Sequence, residues 1–107
     1  MLHSFNNNGM DGTYPSAGLV LDGSGNLYGT TFSGGLYNYG TVFELTPTNG
    51  GWTEQVLHQF NYSVININGP DGFYPQSALI LDATDNLYGT TVEGGIYDGG
   101  TVFEITP

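Results

Sequence analysis

The sequence contains no lysine and no arginine, against ten carboxylates, which leaves a formal charge of −10. A phosphate backbone is held largely through basic side chains, so a nucleic-acid partner is excluded, and attachment to an anionic membrane is disfavoured for the same reason. The carboxylates have no Lys or Arg to pair with. They must be solvated, hydrogen-bonded to the backbone, or neutralised by a bound cation. There is no cysteine, which removes disulfides and thiolate chemistry and leaves the redox compartment open. Apolar runs are only a few residues long, so membrane insertion by a helix is not expected. The first residues, MLHSFNNNG, have neither a basic n-region nor an apolar h-region, and no signal peptide or anchor is read in this chain.

What is abundant is turn and strand chemistry. Eighteen glycines, five prolines and eight tyrosines in 107 residues, with no apolar stripe at helical spacing, point to an all-β protein with many tight turns. The hexapeptide Asn-Leu-Tyr-Gly-Thr-Thr occurs at Asn26–Thr31 and again at Asn86–Thr91. Shifted by 60, residues 11–47 and 71–107 are identical at 23 of 37 positions. Upstream the shift becomes 55, because Leu2-His3-Ser4-Phe5 matches Leu57-His58-Gln59-Phe60. A length change between flanks that stay in register marks a surface loop, here between Phe60 and Asp71.

One unit divides into four strand-like runs: Ala17–Asp22, Leu27–Phe32, Thr41–Thr46 and Trp52–Phe60. Turn signals separate them, the first being DGSGN, whose Asp, Gly and Asn suit the positive-φ positions of a short hairpin. Four short strands per unit, joined as an antiparallel meander, form the pattern of a β-propeller blade. The expected fold class is therefore all-β, with two four-stranded antiparallel β-propeller blades per chain closing into a toroid by homo-oligomerisation. Residues 1–107 read as one two-blade module: blade one spans about 17–60 and blade two, with three strands, about 77–107. The strand at residues 2–5 is out of phase and would complete a neighbouring blade, removing an exposed edge. Two blades do not close a ring, since propellers need about four or more. Three copies would give six blades and four would give eight, with three preferred. In the hexapeptide, Leu27 and Leu87 are expected in the core between blades, Tyr28 and Tyr88 on the other face, and Gly29 and Gly89 where backbones of adjacent blades approach.

The string YPxxxLxLDxxxNLYGTTxxGGxxxxGTVFExTP, followed by WTEQVLHQF, resembles the GloVer tandem repeat of bacterial proteins that carry one of several alternative C-terminal surface anchors. The resemblance covers almost the whole chain twice. It implies a secreted or cell-surface β-propeller in the parent protein and brings no catalytic residues with it. In that bacterial setting the acceptor-like triplet Asn61-Tyr62-Ser63 is read as coincidence.

Templates for nucleophilic, zinc-protease and phosphoryl-transfer chemistry are absent, so the chain is expected not to be an enzyme and to need no cofactor. His3 and His58 occupy equivalent places, which favours a repeated packing or hydrogen-bonding role. Asp22 and Asp82 could offer oxygens to Ca²⁺, but the loop lacks the six to eight ligands that ion takes, and each Asp is expected to cap its own turn. Glu44, Glu104 and Glu54 form no acid/base pair readable in sequence, and a glycosidase would need carboxylates from different blades to converge. In a meander, the loop preceding the first strand and the loop between second and third strands emerge on one face. That face should collect Asp11, Tyr14, Tyr37, Asn38 and Tyr39 from one unit and Asp71, Tyr74, Tyr97 and Asp98 from the other. Aromatic rings beside carboxylates and amides suit carbohydrate, whose C–H faces stack and whose hydroxyls hydrogen-bond. The candidate ligand-binding residues are Asp11, Tyr14, Tyr37, Asn38, Asp71, Tyr74, Tyr97 and Asp98, with no metal site expected. Trp52, the single tryptophan, begins a strand and is expected to pack at an outer edge. The expected function is that of a non-enzymatic module acting in binding or as a structural cell-surface element, with carbohydrate as the candidate ligand; the alternatives are a purely architectural self-assembling repeat or, last, a carboxylate-based glycoside hydrolase.

Overall fold

The computed structural model describes residues 1–6, 8–61 and 71–107. The length-variable stretch at 62–70, with Tyr62 and Ser63 of the acceptor-like triplet, lies outside the described residues. Among those described there is no helix, and hence none long and apolar enough to cross a membrane. The described residues form ten strands: β1 (Gly12–Thr13), β2 (Val20–Leu21), β3 (Leu27–Thr31), β4 (Ser33–Gly34), β5 (Thr41–Thr48), β6 (Gly51–Gln59), β7 (Gly72–Pro75), β8 (Ile80–Leu81), β9 (Leu87–Gly94) and β10 (Thr101–Ile105). The protein is all-β, built from antiparallel sheets.

The first sheet is a meander in the order β2-β3-β5-β6. Its inner strands carry the repeated strings LYGTT and TVFE, with Gly29 opposite Phe43. In the second sheet β9 pairs with β10, β8 and β7, and Gly89 stands opposite Phe103. The equal registers reflect the internal duplication. Within each sheet the second Thr of the hexapeptide ties its strand to the one that carries TVFE. Thr31 Oγ1 lies 2.8 Å from Thr41 Oγ1 and accepts the Thr41 N–H at 3.1 Å, while Thr91 and Thr101 repeat the pair at 2.7 Å. β-Branched residues favour the pleat, and these hydroxyls also satisfy one another where Thr31 and Thr41 are fully buried.

The first hairpin is closed by its aspartate, as its sequence implies. Asp22 Oδ1 accepts the N–H groups of Ser24 and Asn26 at 2.9 Å, and Oδ2 accepts the Tyr28 hydroxyl at 2.9 Å. Asp82 does the same with Thr84, Asn86 and Tyr88. Gly25 (φ 89°) and its counterpart Asp85 (φ 64°) take the left-handed position of the turn.

The two sheets bury their main core between them. Val20, Tyr28, Val42 and Phe60 of the first unit meet Leu79, Leu81, Leu87, Phe103 and Ile105 of the second. Leu87 thus lies between the sheets, and so does Tyr28: the Tyr face of one sheet opposes the Leu face of the next. The glycines of the hexapeptide have a different role from the one expected. A Cβ on Gly29 would stand 2.7 Å from Phe43 Cζ and 2.7 Å from Leu19 Cδ2, and one on Gly89 would stand 2.6 Å from Phe103 Cζ. Each glycine makes room for the aromatic ring of its cross-strand partner within one sheet, not for a neighbouring backbone.

Two features were not expected. β1 pairs β4 through Gly12↔Gly34 and Thr13↔Ser33, and β7 pairs the end of β9 through Gly72↔Gly94 and Phe73↔Glu93, so each unit carries an extra short ladder at one end. The outermost strand is also shorter than the run Ala17–Asp22: only Val20–Leu21 is paired. Residues 2–5 form no strand with their own chain, yet Phe5 packs edge-on against Phe43 at 5.1 Å, as Phe60 packs against Phe103 at 5.2 Å.

Candidate functional site

The extra ladders hold the two loops of each unit together, which gives the expected grouping a physical basis. Gly35 N–H donates to the Asp11 carbonyl at 2.7 Å and Gly95 N–H to the Asp71 carbonyl at 3.2 Å. Asn38 (φ 66°) and Asp98 (φ 58°) occupy left-handed turn positions in the second loop, where Asn and Asp are tolerated better than other non-glycine residues. Tyr14 and Tyr74 are also left-handed, at φ 58° and 59°.

The candidate residues then separate by environment. Tyr74 stacks on Phe32 at 4.7 Å with 14° between ring planes, and its N–H donates to the Tyr39 carbonyl at 2.9 Å. Tyr39 lies 4.9 Å from Phe73 and 5.6 Å from Tyr74, so these rings join the two units. Tyr14, the counterpart of Tyr74, is 74% exposed. Tyr37, Asn38, Tyr97 and Asp98 project outward, Tyr97 almost fully. Asp11 and Asp71 turn inward to the histidines: His3 Nε2 lies 2.9 Å from Asp11 Oδ2, and His58 Nε2 lies 2.8 Å from Asp71 Oδ2. The repeated histidines therefore share a repeated hydrogen bond.

In the first unit a third group joins that pair. Glu54, on β6, brings Oε2 to 3.0 Å from His3 Nε2. The ligand atoms of His3, Asp11 and Glu54 lie within 4.8 Å of one another. Asp11 is nearly fully buried; its Oδ2 also accepts the Asn6 N–H at 3.1 Å and its Oδ1 the Gly12 N–H at 3.0 Å. Burial works against the Asp11 charge, but hydrogen bonds from Asn6, His3 and Glu54 outweigh it and hold the carboxyl below its ordinary range. Burial, followed by the hydrogen bond and charge of Asp11, pushes the Glu54 carboxyl up to about 7. The group opens on a cleft of about 670 Å³ whose walls include Asn6, Asn8, Val56 and Gln59. A histidine with two carboxylates can ligate a cation or share a proton. Reading by sequence missed this cluster because Glu54 reaches it only through the placement of β6 beside residues 2–5. The one available signal was that His and Asp recur together in both units.

A second cleft, of about 340 Å³, lies where the Asp22 hairpin meets the second unit and is lined by Asp22, Tyr28, Glu44, Thr84, Asp85 and Thr106. Burial, then the adjacent Glu44 and Asp22 carboxylates, raise the Tyr28 phenol well above its usual range, so it stays a hydrogen-bond donor.

Comparison with curated proteins and with solved structures returns no match. The Gloeobacter/Verrucomicrobia repeat matches residues 1–107. Hexapeptide, GTVF strand and paired registers are thus features of one duplicated repeat, and the chain belongs to the Gloeobacter/Verrucomicrobia repeat family.

Proposed function

We propose that the chain is a non-enzymatic, self-assembling β-propeller module whose role is architectural. Each sheet is one blade, and several copies close head to tail into a toroid. One observation carries this reading: Val42 is fully buried by the second sheet, while Val102, its counterpart 60 residues on, is 80% exposed. Ile80, the counterpart of half-buried Val20, is likewise 65% exposed. The surface that would cover them has a template in the chain itself. Leu79, Phe103 and Ile105 cover the first sheet, and their counterparts Leu19, Phe43 and Leu45 line a groove of about 290 Å³ on the opposite side of that sheet.

The edge supports the same arrangement. In the first unit β5 pairs β6, with Thr41 opposite Gln59 and Val42 opposite His58. Transferring both shifts places Thr101 of one copy opposite Ser4 of another and Val102 opposite His3. Exposed Tyr14 would then meet Val92, which is 48% exposed, as Tyr74 meets Phe32. Such a contact is heterologous, and it yields a ring when the rotation closes. Three copies, making six blades, are preferred over four. By kinship with the family's anchored proteins, the parent protein is secreted or displayed at the cell surface.

Light scattering tests the assembly: a trimer should weigh three times 11.4 kDa, about 34 kDa. A monodisperse monomer across a wide concentration range contradicts it. A second reading, carbohydrate binding by the corner loops, is favoured by the outward Tyr37 and Tyr97 rings beside Asn38 and Asp98. On a glycan array the intact ring would then bind, and Tyr37→Ala with Tyr97→Ala would abolish the signal. Silence from the intact ring leaves the architectural role alone.

A further inference from the structure

We propose that His3, Asp11 and Glu54 form a binding site for one borderline divalent cation of the Zn²⁺ class. The site goes beyond the assembly reading, because all three ligands belong to one chain.

Geometry is the first support. Zinc binds His nitrogen at about 2.0–2.1 Å and carboxylate oxygen at about 2.0–2.2 Å, so ligand atoms around a tetrahedral ion stand roughly 3.4 Å apart. His3 Nε2 is already 2.9 Å from Asp11 Oδ2 and 3.0 Å from Glu54 Oε2. An outward adjustment of a few tenths of an ångström admits the ion, and the adjoining cleft of about 670 Å³ has room for water in the remaining position.

Unmet bonding is the second support. Glu54 Oε2 is fully buried, and apart from the contact with His3 Nε2 at 3.0 Å no donor reaches it. A His Nε2 carries at most one hydrogen, for which Asp11 Oδ2 at 2.9 Å and Glu54 Oε2 at 3.0 Å compete. Two carboxyl groups in one largely buried cluster, with side-chain exposures of 6% and 13%, share one histidine and a hydrogen bond between themselves. The sequence has no Lys or Arg to bring closer. Ionising both carboxyl groups there without a cation is costly, and a divalent ion in place of the shared proton lets both carry their charge.

The donor set selects the ion. One imidazole and two carboxylates suit Zn²⁺ and its first-row neighbours, whereas Ca²⁺ takes six to eight oxygens. The duplication adds an internal control. His58 and Asp71 repeat the pair at 2.8 Å, but their side chains are 39% and 29% exposed, and no third ligand joins them among the described residues. One cation per chain is therefore expected rather than two. Bound there, it would fasten residues 2–5 to β6.

Calorimetric titration of the full chain with zinc chloride should give a stoichiometry of one per chain. Glu54→Gln should weaken binding by at least about tenfold, since even outer-shell substitutions at zinc sites cost 10–100-fold, and His58→Ala should leave it unchanged. Circular dichroism establishes that Glu54→Gln is folded; if it is not, His3→Ala supplies the same comparison. Absence of saturable binding, or one-to-one binding unaffected by the Glu54 or His3 variants, overturns the site. A monomer that still binds one Zn²⁺ would defeat the ring and leave this inference standing.

Discussion

Replacing Val102 by aspartate separates assembly from folding. Val102 is 80% exposed in the chain, so the substitution should change the chain's own stability by about 1 kcal/mol or less, the range of solvent-facing and strand-propensity effects. In the proposed ring the same position would take the environment of Val42, which is fully buried. Full burial of a valine contributes about 1.5–3 kcal/mol, and a buried carboxylate left without partners costs about 1–3 kcal/mol or more. The sum, about 3–6 kcal/mol per interface, corresponds to roughly two to four powers of ten in dissociation constant. Sedimentation velocity over a dilution series should therefore find Val102→Asp as a folded monomer where the parent chain is assembled, with a urea midpoint close to that of the parent monomer. A variant that keeps the parent's mass and concentration dependence would refute the reasoning, because Val102 would then not lie in the interface.

Gly29→Ala and Gly89→Ala should each destabilise by about 1–3 kcal/mol, the usual cost of overpacking, because the added Cβ meets the Phe43 or Phe103 ring; urea melts read the loss, and an unchanged midpoint would discount the ring-over-glycine packing. Leu87→Ala, at a fully buried position between the sheets, should cost about 2–5 kcal/mol in the same assay. Acid should weaken the fold through the hairpin aspartates. For Asp82 the Tyr88 hydroxyl leads a set of hydrogen bonds that hold the carboxyl below its ordinary 3.8. For Asp22 burial works the other way, but hydrogen bonds from Asn26, Tyr28 and Ser24 outweigh it and hold the carboxyl at about 2. The unfolded chain then binds more protons as pH falls, so stability present above the ordinary carboxylate range is lost between about pH 4 and 2. Melts at stepped pH should show this acid limb, flattened in Asp22→Asn; an identical limb in the variant would count against the assignment.

Much of the fold was legible because its cause is local. The hexapeptide and GTVF strings alternate and branch as strands do, and they appear as β3, β5, β9 and β10. Asp22 and Asp82 stand where an aspartate closes a hairpin, and they close it. The unexpected parts depend on contacts made across the sheet or between distant segments. Gly12↔Gly34 is a two-residue ladder in glycine-rich chain, too short to show any alternation. Gly29 signals close approach in any sequence, but not that the approaching group is the Phe43 ring. The candidate site was legible to a lesser degree. Strand direction in a meander predicts that the two loops share a face, yet side-chain chemistry alone does not tell an outward Tyr97 from a Tyr74 stacked on Phe32. Glu54 gave no sign of meeting His3 and Asp11, because that meeting depends on where β6 passes residues 2–5.

The central claim is that residues 2–5 of one copy pair with β10 of another. The chain has no cysteine, so the double variant Ser4→Cys with Thr101→Cys, oxidised under native conditions and run on a denaturing gel without reductant, reads this pairing directly. Covalent dimers and trimers, closing into one circular species at completion and absent from either single variant, are the predicted result; a product of monomer mass alone would contradict it.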